Sequence, residues 1–374
     1  MKYLPLFFLL VFSCSETSQV TEKEVPTDLH NPYTIQYATG FDIIQVENGI
    51  LLTVKEPFPG ADKPVKYLLY DQADIPSGEQ DVQLVKIPLN NIICTSTSHI
   101  PLLEYLSLAD KLIGFPHTDY ISSPLTRKRI DDGKVRDIGN VEQLNIEAVL
   151  SLAPDAIMGY AMQKGGAIDR LKELGIPVLL NTDFLEKHPL GRAEWIKFTG
   201  LLFGRYPEAD SIFRAIENDY LLTMDKDKVP GPCVFSGSVY GDAWFMPGGK
   251  NYAARLLEDA GYTYAWSSDS SNGFLQLDFE SVYDHAADCA YWIGPAPFET
   301  LQDLGNADSR YKNFTAFQTG NVYTYDNLIG ATGGNMYLEL GYLRADLVLR
   351  DLVKIRDPAA LPEHSLYFYR KIVP

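Results

Sequence analysis

The sequence contains the same short unit twice, at a constant offset of 133 residues (280 − 147). The first copy, residues 139–159, reads GNVEQLNIEAVLSLAPDAIMG, and the second, residues 277–294, reads LDFESVYDHAADCAYWIG. Glu147 of the first copy aligns with Glu280 of the second. Four further pairs match: Leu144 with Leu277, Asn145 with Asp278, Val149 with Val282, and Asp155 with Asp288. A helical pattern precedes an apolar run in both copies, which predicts one helix-then-strand unit in each half of the chain.

The aligned glutamates lie in the first turn of each predicted helix. Asn145 and Asp278 precede them, and Asn and Asp are among the residues preferred at helix N-caps. A carboxylate in the first turn gains about 0.3–1 kcal/mol from the helix dipole. Two explanations therefore stay open. Glu147 and Glu280 stabilise their helices only, or they also serve a function that needs one acidic side chain in each half.

The order of strand and helix patterns indicates the fold class. From residue 91 onward, short apolar runs such as NIICTS, DAIMGY and DCAYWIG alternate with helical stretches, including residues 146–152 and 252–260. This alternation is typical of parallel sheets with crossover helices. A helical region, residues 189–229, separates the two halves, and Tyr206-Pro207 interrupts it. Its second helix carries an apolar face at Ala209, Ile212, Phe213, Ile216 and Tyr220.

We therefore predict an α/β protein with two pseudo-symmetric, three-layer lobes, each built on a parallel sheet, joined by a rigid helical spine. The first lobe covers residues 91–188. The second covers residues 230–374 and ends in a C-terminal helix and tail. Residues 31–90 alternate and turn often, so we expect a small N-terminal antiparallel β unit there.

The N-terminus indicates export. Residues 1–13 read as a signal peptide, because the apolar run of residues 4–12 is far shorter than the roughly 20 residues of a membrane-spanning helix. Val11-Phe12-Ser13-Cys14 resembles the bacterial lipoprotein cleavage box, which implies lipidation of Cys14 and a polar tether over residues 14–30. The alternative is an ordinary secretory signal that contains a chance cysteine.

Charge and cysteine content exclude some functions. The formal net charge of −17 argues against nucleic acid as a partner, because phosphates are bound by Lys and Arg. Beyond the signal peptide the cysteines are Cys94, Cys233 and Cys289. A bridge between Cys233 and Cys289 is one interpretation, and buried free thiols are the more ordinary one.

Several segments together resemble one known family. NIEAVLSLAPDAIMG resembles the first-lobe signature of the class III substrate-binding proteins of ABC importers, and LDFESVYDHAADCAYWIG is a weaker second-lobe copy. GKNYAARLLEDAGY and GNVYTYDN resemble later segments of the same family. The resemblance covers about residues 91–355. It implies a monomeric receptor with no catalytic activity and no intrinsic cofactor, whose ligand is an iron complex (ferric siderophore or haem) or, alternatively, cobalamin.

The resemblance also implies where the partners bind. In the family, one glutamate per lobe docks on arginines of the permease dimer, and the matching residues here are Glu147 and Glu280. Ligands of two-lobed α/β proteins bind at the carboxyl ends of the parallel strands. Aromatic and small polar residues on those loops suit a large, flat, partly apolar ligand. The predicted ligand contacts are Ser98, His99, Tyr120, Arg127, Tyr160, Tyr240, Trp244, Phe245 and Trp266.

Two of the ligand predictions have alternatives. Arg127 belongs to the basic run 127–129, which either pairs with an anionic iron complex or forms a solvated basic face. His99 and His117 are candidates for a single axial bond to haem iron. The remaining histidines are scattered, so we do not expect a metal site made of several protein ligands.

Two other functions compete with the receptor. The sequence lacks Gly-x-Ser-x-Gly, Cys-x-x-Cys and His-Glu-x-x-His motifs, so a siderophore hydrolase would depend on Ser238 and His99 meeting by chance. A surface nutrient-capture lipoprotein would pass its cargo to another receptor, and the N-terminal β unit would then be its contact surface.

Overall fold

The computed structural model describes residues 31–374 except 72–80, 142, 163–166, 227–228 and 296. The predicted signal peptide, the tether and the lipidated Cys14 lie outside the described residues. Among the described helices, none combines the length and the apolar character needed to span a bilayer.

The N-terminal unit is one sheet in the order β1-β2-β3-β4. Its strands are β1 (Phe41–Val46), β2 (Gly49–Val54), β3 (Val65–Tyr70) and β4 (Val82–Lys86). β1, β2 and β3 pair antiparallel as predicted, but β4 pairs parallel to β3. Eleven residues separate Tyr70, the last residue of β3, from Val82, the first residue of β4, and parallel neighbours need a connection longer than a tight hairpin.

The first lobe contains a five-stranded, all-parallel sheet. Its elements are β5 (Ile92–Cys94), α1 (His99–Tyr105), β6 (Leu112–Phe115), α2 (Pro124–Asp131), β7 (Arg136–Asp137), α3 (Ile146–Leu152), β8 (Ala156–Gly159), α4 (Ala167–Glu173) and β9 (Val178–Leu180). The strand order β7-β6-β5-β8-β9 reverses direction at β5. The carboxyl end of β5 is therefore the switch point at which α/β sheets bind ligands.

Two helices form the spine: α5 (Pro189–Leu202) and α6 (Tyr206–Thr223). Every residue of α5 is buried, so this helix lies inside the protein. A Cβ atom on Gly200 would lie 2.5 Å from the Cβ of Ala209, which shows how tightly the two helices meet at the turn. The predicted apolar face of α6 is confirmed at Ala209, Phe213, Ile216 and Tyr220.

Buried carboxylates of the spine region fix the N-terminal unit in place. Glu194 accepts backbone N–H bonds from Gln36, Tyr37 and Ala38 at 2.7–3.1 Å. Glu186, next to α5, accepts backbone N–H bonds from Thr39 and Gly40 at 2.8–2.9 Å. Aromatic packing continues the contact, because the Phe41 and Trp195 ring centroids lie 4.6 Å apart. The N-terminal unit thus shares one hydrophobic core with the spine.

The second lobe contains two sheets. Its elements are β10 (Cys233–Phe235), β11 (Ser238–Tyr240), β12 (Ala243–Pro247), α7 (Tyr252–Asp259), β13 (Thr263–Tyr264), β14 (Phe274–Leu277), α8 (Phe279–Ala286), β15 (Tyr291–Ile293), α9 (Leu301–Ala307), α10 (Thr315–Gln318), β16 (Val322–Thr324), α11 (Met336–Leu340), α12 (Ala345–Arg356) and β17 (Arg370–Lys371). The main sheet has the order β13-β10-β15-β16-β17, parallel except for β17.

The second sheet, β11-β12-β14, is antiparallel and corrects a prediction. Tyr240, Trp244 and Phe245 were predicted as ligand contacts on a loop, but they lie in the strands β11 and β12 of a β-hairpin. Tyr240 pairs with Ala243 across the turn residues Gly241 and Asp242. A two-residue turn that contains glycine between alternating apolar residues is a hairpin signal, and the loop interpretation overlooked it.

The second lobe also carries a disulfide bond. Cys233 on β10 and Cys289, two residues before β15, are bonded, with Cα atoms 4.7 Å apart. The interpretation of these residues as free thiols was therefore wrong, because β10 and β15 are neighbouring strands. Cys94 in the first lobe is a buried free cysteine.

The duplicated unit occupies the same place in both lobes. Helix α3 covers the predicted residues 146–152, and the side chain of Asn145 accepts the backbone N–H of Ala148 at 3.0 Å. Asp278 caps α8 in the same way, accepting the N–H of Ser281 at 2.6 Å. The strands that follow, β8 and β15, each pair parallel with the first strand of their lobe, β5 and β10. The lobes are therefore pseudo-symmetric around this unit.

Candidate ligand cavity and docking surface

A cavity of about 400 Å³ opens at the carboxyl edge of the main sheet of the second lobe. Three neighbouring strands end at its floor. Ser236 and Gly237 follow β10, Gly294 follows β15, and Tyr325 follows β16. Loops at this edge bind ligands in open α/β sheets, and the volume falls in the roughly 300–1,000 Å³ range of small-molecule sites.

Aromatic and aliphatic side chains form the walls of the cavity. We call five of them the tyrosine wall: Tyr252, Tyr325, Tyr337, Tyr342 and Tyr369. The hydroxyls of Tyr252 and Tyr337 lie 2.8 Å apart and share a hydrogen bond. Burial raises the pKa of Tyr252, Tyr337 and Tyr369 well above the usual value, so these hydroxyls stay protonated.

The mouth of the cavity exposes large apolar side chains of the antiparallel sheet. Tyr240 is 82% exposed and Phe274 is 72% exposed, and both line the opening. Phe245 lines it as well, and its ring lies 6.2 Å from that of Tyr240. The structure therefore brings Tyr240 and Phe245 together at this opening.

The position of Trp244 contradicts the prediction that this residue contacts the ligand. The side chain is fully buried in the core of the second lobe, so it does not face a ligand. In a β-strand successive side chains point to opposite faces, and Trp244 points inward where Phe245 lines the opening. Its indole N–H donates to the Ser236 carbonyl at 3.0 Å, and the Trp292 indole donates to that of Gly237 at 2.8 Å. Trp244 thus helps to hold the floor of the cavity.

Ser98 and His99 lie in the first lobe just beyond β5, and both are buried. His99 is only 1% exposed, and burial lowers its pKa to about 3, so the ring is neutral. A side chain so enclosed cannot bind iron in a ligand between the lobes, which corrects the prediction for His99. The Ser98 hydroxyl lies 2.9 Å from that of Ser96, and the Ser98 side chain also hydrogen-bonds the buried Asp183 carboxyl group.

The remaining predicted contacts are spread over both lobes. Arg127 is held by its own lobe, because it donates to the Thr118 carbonyl at 2.6 Å. Tyr160 packs edge-on against Phe184 at 6.0 Å. The Trp266 ring lies 4.8 Å from that of His285 in the second lobe. Tyr120 is well exposed in the first lobe.

A loop of the second lobe contacts a loop of the first lobe. Thr332 donates its hydroxyl to the Asp119 carbonyl at 2.6 Å. Glu339 on α11 is 2% exposed and accepts the backbone N–H groups of Ser122 at 2.6 Å and Ser123 at 2.9 Å. Burial raises the pKa of Glu339 to about 7. These bonds join the second lobe to the loop that carries Tyr120.

Glu147 and Glu280 are both exposed. A crossover helix runs antiparallel to the strand that follows it, so the N-termini of α3 and α8 lie at the carboxyl edges of their sheets. Both glutamates therefore lie on the edge where ligand loops gather. Glu280 forms an ion pair with Arg310 at 3.1 Å, and both side chains are largely exposed, so the pair contributes little to stability.

The tyrosine wall was missed by the sequence interpretation. Tyr252 lies on α7 and Tyr337 on α11, whereas ligand contacts were predicted on loops. A signal was present, because tyrosines are dense in the last third of the chain, in GYTYAW, NVYTYD, MYLELGY and LYFY. Density alone does not say which rings border a cavity and which fill the core.

Comparison with known proteins agrees with this architecture. Residues 92–328 match the periplasmic binding protein family, so the chain belongs to that family. An uncharacterized lipoprotein of Methanocaldococcus jannaschii is 26% identical over 325 residues, covering 82% of this chain and 76% of the relative.

Two solved structures show the same fold. The periplasmic haem-binding protein HutB of Vibrio cholerae has a TM-score of 0.55 at 16% identity, covering 70% of this chain and 99% of its own. A protein of the ABC-type Fe³⁺-hydroxamate transport system of Saccharomonospora viridis has a TM-score of 0.54 at 14% identity, covering 72% and 93%. The chain thus has the fold of solute-binding proteins.

Proposed function

We propose that this protein is the substrate-binding receptor of an ABC importer. It captures an iron complex, either a ferric siderophore or haem, between its lobes and delivers it to the permease. The observation that carries the proposal is the aromatic cavity at the carboxyl edge of the second sheet, facing the region where loops of both lobes meet. The protein performs no reaction on its cargo.

The chemistry of the cavity supports a large, partly apolar cargo. Aromatic rings bury much area at low entropic cost and stack on flat ligands, while the hydroxyls of the tyrosine wall orient polar edges. The exposed rings of Tyr240 and Phe274 extend this apolar surface at the mouth of the cavity. The haem-binding and Fe³⁺-hydroxamate proteins that share the fold add support for a metal complex as cargo.

The duplicated unit supports delivery to a two-fold symmetric permease. Glu147 and Glu280 are exposed at equivalent points of the two lobes, and the buried helix α5 belongs to a stiff spine between them. Two acidic side chains at a fixed separation match basic residues on two permease subunits. We further propose that Cys14 is lipidated and that residues 14–30 tether the receptor to a membrane, as for the lipoprotein relative.

The visible absorption spectrum of the protein purified from its own cells tests the cargo. We expect a ferric-siderophore band or a haem Soret band that co-purifies with the protein in a one-to-one ratio. A colourless preparation is then titrated with a ferric hydroxamate, with haem and with cobalamin, the alternative cargo. Failure of all three to bind would contradict the proposed function.

A further inference from the structure

We infer that the cargo carries no net negative charge, and that the receptor selects uncharged metal complexes over anionic ones of the same size. This inference rests on the proposed function and narrows its substrate class. Two observations support it: the neutral lining of the cavity, and the contacts that already hold Arg192, Arg344 and Arg370 beside it.

The lining itself is electrically neutral. Among the described residues that line the cavity, none carries a charged side chain. They are Ser, Gly, Ala, Pro, Met, Phe, Leu, Ile and Tyr residues. A carboxylate or catecholate oxygen entering this space would find hydroxyl donors but no cation. Transfer of an ion into such a site is unfavourable unless a partner charge or several hydrogen bonds compensate it.

The arginines next to the lining are already engaged. The Arg192 guanidinium lies 3.8 Å from the ring centroid of Tyr252, behind the wall, and donates to the Phe184 carbonyl at 2.9 Å. Arg344 pairs with buried Asp346 at 2.6 Å, and Arg370 pairs with Asp326 at 2.8 Å. None of these three cations is free to turn toward a ligand without breaking an ion pair or leaving an aromatic ring.

The first lobe does not supply the missing charge through its basic run. Arg127 is 13% exposed at its side chain and lies 3.7 Å from both Asp119 and Asp131. Lys128 pairs with Asp132 at 2.9 Å. Arg129 donates to the carbonyls of Asp110 and Leu112. Carboxylates thus compensate Arg127 and Lys128, backbone carbonyls hold Arg129 in its own lobe, and the chain's net charge of −17 adds long-range repulsion of anions.

Matched ferric complexes test the inference. Three singly charged hydroxamates neutralise ferric iron, whereas three doubly charged catecholates leave a trianion of similar size. The full-length protein is titrated by calorimetry with a hexadentate ferric trihydroxamate, a hexadentate ferric tris-catecholate, cyanocobalamin and haem. We expect an uncharged complex to bind at least about 100-fold more tightly than the trianion, since an unpaired charge costs several kcal/mol on burial.

Substitution at the mouth then tests the cause. Phe274→Arg places a cation on the exposed rim, and we expect it to raise affinity for the tris-catecholate about tenfold. Phe274→Gln removes the ring without adding charge, and Leu222→Arg adds the same charge on exposed α6, away from the lining. We expect that neither control raises the affinity for the tris-catecholate relative to the affinity for the trihydroxamate.

Each outcome decides between the claims. Preference for the trihydroxamate or for cyanocobalamin supports the inference. Binding of the tris-catecholate as tightly as the trihydroxamate, or more tightly, would overturn the inference. So would binding of haem and of no other complex, because haem carries carboxylates. Both outcomes would leave the receptor function intact. Binding of none of the four would contradict the proposed function, and the inference with it.

Discussion

The two lobes contain the same helix-then-strand unit, but each lobe is completed differently. The first lobe shares its core with an N-terminal sheet, which is held by the buried carboxylates of Glu186 and Glu194. The second lobe adds an antiparallel sheet, a disulfide and the cavity. Both lobes thus carry a glutamate in the first turn of the duplicated helix. They differ in the structures that stabilise them and in the side chains that they offer to a ligand. The duplicated unit supports the two docking sites proposed above, and the cavity gives the second lobe one part of the proposed ligand site between the lobes.

Removal of the carboxylate that holds the N-terminal sheet should have the largest effect. Glu194 is fully buried, pairs with Lys197 at 2.9 Å and accepts three backbone N–H groups. Glu194→Ala leaves Lys197 buried with less compensation, so we expect a loss of about 3–5 kcal/mol in the free energy of unfolding. Urea denaturation measures it, with Glu194→Gln as the matched control that keeps shape. A loss below about 1 kcal/mol would show that the sheet is held by other contacts.

Loss of the disulfide should destabilise the second lobe by less. The bond joins residues 56 apart in sequence, and such a crosslink typically contributes about 2–4 kcal/mol. We expect Cys233→Ala with Cys289→Ala to lower the urea midpoint, while Cys94→Ala leaves the response to reductant unchanged. Equal stability of the wild-type protein with and without reductant would refute a structural role for the bond.

The contact between the lobes should depend on pH through Glu339. Its pKa is raised from 4.5 to about 7, so the native state keeps a proton that the unfolded chain releases. The stability linked to this group is full below about pH 4.5 and is lost as the pH rises toward 7, by roughly 1–3 kcal/mol. Glu339→Gln should flatten this decline in urea titrations at pH 5 and pH 8. The exposed Glu363→Gln should not, and an unchanged slope in Glu339→Gln would refute the assignment.

The two caps should give the smallest and most similar effects. Asn145 and Asp278 each accept one backbone N–H at the start of the duplicated helix. We expect Asn145→Ala and Asp278→Ala each to cost about 1 kcal/mol in unfolding free energy. If only one of the two variants loses unfolding free energy, the two copies do not play equivalent structural roles.

Much of the shared architecture was predictable from sequence, because caps and helical periodicity are local. The bounds of α3 and the buried face of α6 followed from Asn145 and from the spacing of Ala209, Phe213, Ile216 and Tyr220. What distinguishes the lobes was not predictable in the same way. Strand pairing decides whether β4 is parallel and whether the two cysteines meet, and pairing joins residues far apart in sequence.

In the candidate site, too, local features were predictable from sequence and long-range contacts were not. Exposure of Glu147 and Glu280 follows from their places in first turns, and alternation along β12 would have separated Trp244 from Phe245 had the hairpin been recognised. The tyrosine wall is assembled from two helices and three connecting segments, so only the packed structure reveals it.

Uptake of radiolabelled iron by cells that carry charge-reversed receptor tests the central claim most directly. Glu147→Lys with Glu280→Lys should reduce uptake at least about tenfold, while calorimetry finds ligand affinity unchanged, because we propose that both acidic side chains dock on the permease and not on the ligand. The control Glu47→Lys with Glu363→Lys changes the net charge equally at exposed sites outside the duplicated unit and should leave uptake intact. Undiminished uptake with Glu147→Lys and Glu280→Lys would contradict docking through the duplicated unit.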